Sequence, residues 1–278
     1  MTHRVASVKC ARRASTSSLV LVALPDVPWT FERDHFDAAR VDALARATSV
    51  AVIVPARDEA ATIGPVVAAI AKNTFVSELL VVNDHSSDDT AAVAAHHGAR
   101  VLTLARPSGK GAAMAEGLAA TTSELVVYLD ADVLTPVEDF VPRLIEPLLA
   151  YDGIHLVKGF YERPLHHMPT GGGRVNELAA RPILSLLYPG LGEMRQPLAG
   201  ETAATRGALE AIDLDVGYSV EIALLIDIAR KFGVASLAQV DLGVRRHRNR
   251  PLEELRPMAG DVLRAALERY GLELPSQD

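Results

Sequence analysis

Leu125-Val126-Val127-Tyr128-Leu129-Asp130-Ala131-Asp132 is an apolar run that ends on two carboxylates. A short run rich in valine and leucine reads as a strand buried on both faces. Successive strand side chains point to opposite faces, so Asp130 and Asp132 emerge together at the carboxyl end. Open α/β sheets bind their ligands at that end. Two converging carboxylates offer hard oxygen ligands, which suit a divalent cation such as magnesium or manganese. An isolated Asp-x-Asp more often caps a turn, so the surrounding chain has to decide.

Upstream, three more units have the same construction. Ser49-Val50-Ala51-Val52-Ile53-Val54 is a strand stopped by Pro55; the loop Pro55-Ala56-Arg57-Asp58-Glu59 and a helix capped by Thr62 follow. Glu78-Leu79-Leu80-Val81-Val82 is a strand, Asn83-Asp84-His85-Ser86-Ser87 a polar loop, and 88–97 a helix ended by Gly98. Arg100-Val101-Leu102-Thr103-Leu104 leads into Arg106-Pro107-Ser108-Gly109-Lys110-Gly111 and a helix over 112–120. Strands alternating with helices predict an α/β fold with a parallel, doubly wound sheet. Residues 26–48, with the only tryptophan, Trp29, read as a lead-in helix through Phe36, Val41 and Leu44.

Beyond Pro136 the pattern changes. A helix is expected over 140–149 and a strand over 154–160. The turn Thr170-Gly171-Gly172-Gly173-Arg174 opens a helix through Leu178, Ile183 and Leu187. Gln196-Pro197-Leu198-Ala199-Gly200-Glu201 has no period and reads as a functional loop. An amphipathic helix over 220–232, strands over 235–240 and 242–245, the basic run Arg245-Arg246-His247-Arg248-Asn249-Arg250 and a last helix over 252–270 complete the chain. The expected organisation is an extension over 1–25, a sheet-bearing half over 26–160 and a smaller lobe over 161–278.

The 278 residues allow one large domain or a domain with a lobe. The net charge of -7 gives no basis for bulk nucleic-acid binding. The single cysteine, Cys10, excludes an internal disulfide or a multi-cysteine metal site and fits a reducing cytoplasm. Basic residues precede Leu19-Val20-Leu21-Val22-Ala23-Leu24, but that run is shorter than a signal-peptide core and no small-residue cleavage site follows. No apolar run reaches the roughly 18 residues of a membrane span, so no membrane partner is expected.

Loops after four adjacent strands thus bring Asp58 and Glu59, Asp84, Lys110, and Asp130 with Asp132 to one sheet edge. Carboxylates for base, ribose and metal, with a lysine for phosphate, describe a nucleotide-diphosphate site. G-x-G-x-x-G and Walker signatures are missing, which argues against a dinucleotide oxidoreductase or a P-loop NTPase. The glycine turn before Arg174 suits an anion, because a helix start presents free N–H groups and arginine adds a bidentate donor.

Val52-Ile53-Val54-Pro55-Ala56-Arg57-Asp58-Glu59, Val82-Asn83-Asp84-His85-Ser86-Ser87-Asp88-Asp89-Thr90, Gly109-Lys110-Gly111 and Asp130-Ala131-Asp132 resemble the GT-A glycosyltransferases, which have a Rossmann-like nucleotide-sugar-binding sheet. Gly171-Gly172-Gly173-Arg174-Val175, residues 196–201, Gly217-Tyr218-Ser219-Val220-Glu221-Ile222 and residues 244–252 resemble the actinobacterial glucosyl-3-phosphoglycerate synthases. The resemblance implies metal-dependent transfer of glucose, with retention, from UDP-glucose or GDP-glucose to the 2-hydroxyl of 3-phosphoglycerate. Alternatives are mannosyl transfer to the same acceptor, or a polyprenyl-phosphate acceptor, for which no membrane-docking helix is visible. By motif, Pro55, Ala56, Arg57, Glu59, Asp84, Asp130, Ala131, Gln196, Leu198 and Tyr218 would bind the donor. Lys110 would meet its diphosphate, and Glu221 would lie by the sugar, making Glu221, Lys110 and Asp130 the catalytic group. Gly173, Arg174, Val175, Asn176, Arg245 and Asn249 would seat the acceptor, and Asp132 with His247 would hold Mg²⁺ or Mn²⁺. Glu201 is a second candidate carboxylate near the reacting sugar. The expected assembly is a homodimer, although the helices over 220–232 and 252–270 would serve equally to pack the core.

Overall fold

The computed structural model describes residues 27–275 except 135–137, 163, 166–167, 172 and 246–251, without the side chains of 164–165, 168–171 and 252. The extension expected over 1–25 lies outside these residues. In chain order the elements are β1 (Trp29–Phe31), α1 (Ala38–Ala45), β2 (Val50–Ala56), α2 (Ile63–Ile70), β3 (Val76–Asn83), α3 (Thr90–His96), β4 (Arg100–Thr103), α4 (Lys110–Ala119) and β5 (Leu125–Tyr128). They continue with α5 (Phe140–Ala150), β6 (Leu156–Glu162), a small hairpin of β7 (Pro164–Leu165) and β8 (Met168–Gly171), and α6 (Arg181–Leu187). Last come β9 (Thr202–Thr205), α7 (Arg206–Leu209), α8 (Val220–Phe232), β10 (Leu237–Val244) and α9 (Leu252–Tyr270).

One sheet carries the fold, in the order β1-β10-β6-β9-β5-β2-β3-β4. The expected α/β sheet is present, but it is mixed: β9 runs antiparallel between β5 and β6, pairing Val127 with Ala203 and Val157 with Ala203. The reversal has a functional consequence. In a parallel sheet the loops after the strands share one edge, whereas an inverted strand brings the loop before it to that edge. Residues 196–201 therefore share that edge with the residues that follow β2, β3 and β5, and with Arg245 after β10.

The lead-in segment also departs from expectation. Its helical parts are α1 and a 3₁₀ turn at Arg33–His35; Trp29–Phe31 adds an edge strand parallel to β10, fixed by Trp29 Nε1 donating to the Ala235 carbonyl at 3.0 Å. The two short strands expected near 240 are one strand, β10, with a register shift between Asp241 and Val244. Thr62 sits at the N-cap of α2, but its hydroxyl turns back to Glu59 rather than capping forward.

Apolar layers cover both faces. Val52, Val54, Val127, Val157 and Val240 pack under α1, α2 and α5, while Ile53, Val126, Tyr128 and Leu156 pack under α4, α6, α8 and α9. No described helix is long and apolar enough to cross a membrane.

Candidate active site

At the carboxyl edge of the sheet lies a cavity of about 370 Å³, in the range of small-molecule sites. Its walls come from Pro55, Ala56, Arg57 and Glu59 after β2, Asp84 after β3, Gly109 and Lys110 at the start of α4, and Asp130, Ala131 and Asp132 after β5. The second half of the chain contributes Arg174, Val175, Asn176, Gln196, Leu198, Ala199, Tyr218 and Glu221.

The loops are braced against each other. Asp58 and His85 both have positive φ, at 55° and 56°, a costly conformation that needs support. Asp58 Oδ1 supplies it by accepting from the Ser87 backbone N–H (2.7 Å) and hydroxyl (3.0 Å). Those bonds hold the Asp58 carboxyl below the usual carboxylate range. Asp84 is buried, and its two oxygens accept from the Ser108 N–H at 2.7 Å and the Gly109 N–H at 3.0 Å. Thus Asp84 sets the turn that delivers Lys110 as well as lining the cavity.

Lys110 stands between two carboxylates. Its ammonium lies 2.7 Å from Asp130 Oδ1 and 2.5 Å from Glu221 Oε1. Burial favours the neutral amine, but Asp130 and Glu221 outweigh it and keep Lys110 firmly protonated. Gly111 lets this happen: a Cβ there would strike the Asp215 carbonyl, whose loop leads on to Glu221 in the first turn of α8. Asp130 has a glycine of its own, since a Cβ on Gly200 would come within 2.5 Å of the Asp130 carboxyl carbon.

The other oxygen of Asp130 faces Arg245. One guanidinium nitrogen, Nη2, donates to Asp130 Oδ2 at 3.1 Å and to Asp132 Oδ1 at 3.0 Å. The other, Nη1, donates to the Tyr161 hydroxyl at 2.8 Å and pairs with Glu201. Burial works against the Asp130 carboxylate, yet Lys110 and Arg245 prevail and hold its pKa far below the ordinary value. Arg245, expected to seat the acceptor, is buried beneath the Asp-x-Asp pair and does not line the cavity. Glu201 is likewise fully buried and off the cavity wall, so of the two candidate carboxylates only Glu221 reaches it.

The Nη2 position marks a point shared by both aspartates, and its occupant is a cation. Hard carboxylate oxygens converging there fit a divalent ion, with Asp132 about one-third exposed toward solvent. Among the described residues no group of three His, Cys, Asp or Glu is placed to hold a metal, and His247, the expected second ligand, lies outside them, as does Asn249.

On the far wall, Gly173 with φ 75° forms the turn without lining the cavity, while Arg174, Val175 and Asn176 reach it. The helix they open is wound as a π-helix over Asn176–Ala180, a distortion frequent at functional sites. Asn176 Nδ2 donates to the Arg195 carbonyl at 3.2 Å and its Oδ1 accepts from Leu198 N–H at 3.4 Å, tying this wall to the 196–201 loop. Leu255, Met258 and Val262 of α9 also line the cavity and were not anticipated. Their helical spacing was visible in the sequence, but such a stripe ordinarily signals core packing.

Comparison with known proteins agrees with this geometry. Residues 51–167 match the family described as Glycosyl transferase family 2. The glucosyl-3-phosphoglycerate synthase of Mycolicibacterium paratuberculosis is 44% identical over 266 residues, covering 90% of this chain and 80% of the relative. The chain belongs to the glucosyl-3-phosphoglycerate synthase family. The enzyme of that name from Mycobacterium tuberculosis is 43% identical over 267 residues, covering 90% of this chain and 82% of its own length. Its crystal structure in complex with Mn²⁺, UDP-glucose and phosphoglyceric acid superposes with a TM-score of 0.82 at 43% identity, covering 90% of this chain and 89% of that one. The chain is accordingly a glycosyltransferase on a GT-A sheet, as the Asp-x-Asp strand and its neighbours suggested.

Proposed function

We propose that this enzyme transfers glucose from UDP-glucose to the 2-hydroxyl of 3-phosphoglycerate, with retention of anomeric configuration and with Mg²⁺ or Mn²⁺ bound at Asp132. The observation that carries the reading is the cavity itself. Lys110, Asp130 and Glu221 meet there at hydrogen-bonding distance, with Asp132 beside them and Arg174 on the opposite wall. A relative crystallised with Mn²⁺, UDP-glucose and phosphoglyceric acid supports the choice of substrates.

On this reading residues 26–160 supply most of the donor site. Pro55, Ala56, Arg57, Glu59 and Asp84 face the base and ribose, and Asp130 and Ala131 face the ribose or sugar. Residues 161–278 close the site, with Gln196, Leu198 and Tyr218 against the donor and Arg174, Val175 and Asn176 against the acceptor. A bound divalent cation, held by Asp132 with His247, would stabilise charge on the leaving diphosphate. Lys110 does the same from the protein side, as an ammonium fixed before the reaction begins. Glu221 is the cavity carboxylate nearest to this lysine and faces the sugar. With Glu201 sealed off, retention leaves either Glu221 as nucleophile or same-face attack, in which the departing diphosphate takes the acceptor proton.

Incubating the purified chain with 3-phosphoglycerate and Mg²⁺ or Mn²⁺ against UDP-glucose, GDP-glucose and their mannose counterparts tests the assignment. UDP release that requires 3-phosphoglycerate is the expected result. Release only from GDP-sugars, or only from mannose donors, would replace the donor, and the absence of release from all of them would overturn the reading.

A further inference from the structure

Lys158 lies in the middle of β6, with only 1% of its surface exposed, and its ammonium has no hydrogen-bond partner among the described residues. Such an arrangement is unfavourable, since the interior replaces an ammonium's hydration poorly when no partner meets it. Its neighbours across the sheet offer no relief. Register places Lys158 beside Thr202 of β9 and Gln239 of β10. Thr202 already donates to the Ala199 carbonyl. The Gln239 side chain is bonded to Thr30, Glu193 and Arg195. A purely structural position would hold leucine or methionine, as Leu156 does two residues earlier on the same face.

The charges that bear on Lys158 are those of the active site: Glu221 first, then Lys110, Glu201 and Asp130. Glu221 and Asp130 are also the two partners of Lys110. This inference rests on the donor reading above, in which Lys110 meets the diphosphate. If Lys110 leaves its carboxylates for the donor, Asp130 keeps Arg245 at 3.1 Å, but Glu221 loses the ammonium that now lies 2.5 Å from it. We propose that Lys158 is a positioning residue for the transfer, a second buried ammonium that holds the Glu221 side chain in place once Lys110 turns to the donor diphosphate.

The electrostatics run in the required direction. Burial pushes the Lys158 pKa down to about 8, with Lys110 adding to the depression and Glu221, Glu201 and Asp130 opposing it. Withdrawal of Lys110 removes a repulsion and leaves Glu221 unshared, so Lys158 gains charge as the donor engages.

The test compares wild type with Lys158→Met, alone and combined with Glu221→Gln. It measures kcat, KM for UDP-glucose and 3-phosphoglycerate, UDP affinity by calorimetry, and Tm. The expected result is a fall in kcat of roughly 10-fold or more, with both KM values and UDP affinity within about threefold and Tm unchanged or higher. Added to Glu221→Gln, the same substitution should cost less than about threefold, because the group it serves is already gone. A kcat within threefold of wild type overturns the proposal, as does a lowered Tm or a loss of UDP affinity that matches the loss of kcat. Full additivity with Glu221→Gln overturns it as well. If wild type itself releases no UDP from UDP-glucose with 3-phosphoglycerate, the donor reading has failed rather than the role of Lys158.

Discussion

Alanine is normally welcome in place of glycine in a helix, worth about 1 kcal/mol, yet Gly111→Ala should damage this enzyme. A Cβ at Gly111, in the first turn of α4, would overlap the Asp215 carbonyl oxygen and stand 2.7 Å from its carbon and 3.0 Å from the Val216 carbon. Ordinary contact begins near 3.4 Å, so the loop must retreat by 0.7 Å for the carbon alone and further for the oxygen. The obstacle is backbone, and it is tethered. Val216 O accepts from Ala112 N–H at 3.2 Å, and Arg269 holds the Asp215 carboxylate at 3.2 Å. Overpacking against a fixed partner costs about 3 kcal/mol, which leaves about 2 kcal/mol of net destabilisation after the helix gain. For a chain of this size that is a Tm decrease of roughly 4–8 °C. The same displacement separates Lys110 from Glu221, now 2.5 Å apart, and misplacement by about 1 Å can cost about 100-fold in rate. Thermal melting and UDP release read out both effects. Gly260→Ala in α9, where a Cβ meets nothing within 4 Å, is the control and should be neutral or stabilising. Wild-type Tm and rate in Gly111→Ala would refute the claim that this contact sets the lysine.

Three further outcomes are expected. Asp84→Ala removes the acceptor of two backbone N–H groups and should cost about 2 kcal/mol in urea unfolding while raising KM for UDP-glucose, since the turn carrying Lys110 loosens. Asp132→Ala should abolish turnover at any Mg²⁺ or Mn²⁺ concentration, whereas Asp130→Ala should lower kcat with little change in the metal titration; equal shifts in metal requirement would erase that division of labour. Stability should rise from pH 8 to pH 10.5, because Lys158 has its pKa pushed down to about 8 from the usual 10.5 and the unfolded chain binds the extra proton in that window. The full effect is about 3 kcal/mol, and it should be missing from the same urea titrations on Lys158→Met.

Why some of this was legible beforehand, and some not, follows from the range of the interactions. β2, β3 and β5 are apolar runs closed by polar loops, so local pattern suffices to find them and to align Glu59, Asp84 and Asp130 on one edge. Thr202-Ala203-Ala204-Thr205 has weak intrinsic strand preference and becomes β9 only because the gap between β5 and β6 accepts it. Trp29–Phe31 is too short to show a period and is held by β10, over two hundred residues away. The basic run gave the wrong surroundings for Arg245, since its burial depends on Asp130, Asp132 and Glu201, none of them near it in sequence. Lys158 did leave a signal, as a lone charge in the apolar strand Leu156-Val157-Lys158-Gly159-Phe160.

The ion pairs of the cavity bear on how such a site divides its binding energy. Lys110 is already satisfied by Asp130 and Glu221, so under the proposed function meeting a diphosphate would exchange one set of anionic partners for another and add little to ground-state affinity. As the glycosidic bond breaks, negative charge accumulates on the departing diphosphate while positive charge grows at the sugar carbon. Under the proposed function the lysine would gain from the first change, and the carboxylates it had left would gain from the second. Both interactions are stronger in the transition state than in the bound donor, which is the condition for accelerating the step rather than only tightening binding. On that reading Asp130 keeps Arg245 as its partner after Lys110 moves, and Lys158 is the buried ammonium left to act on Glu221.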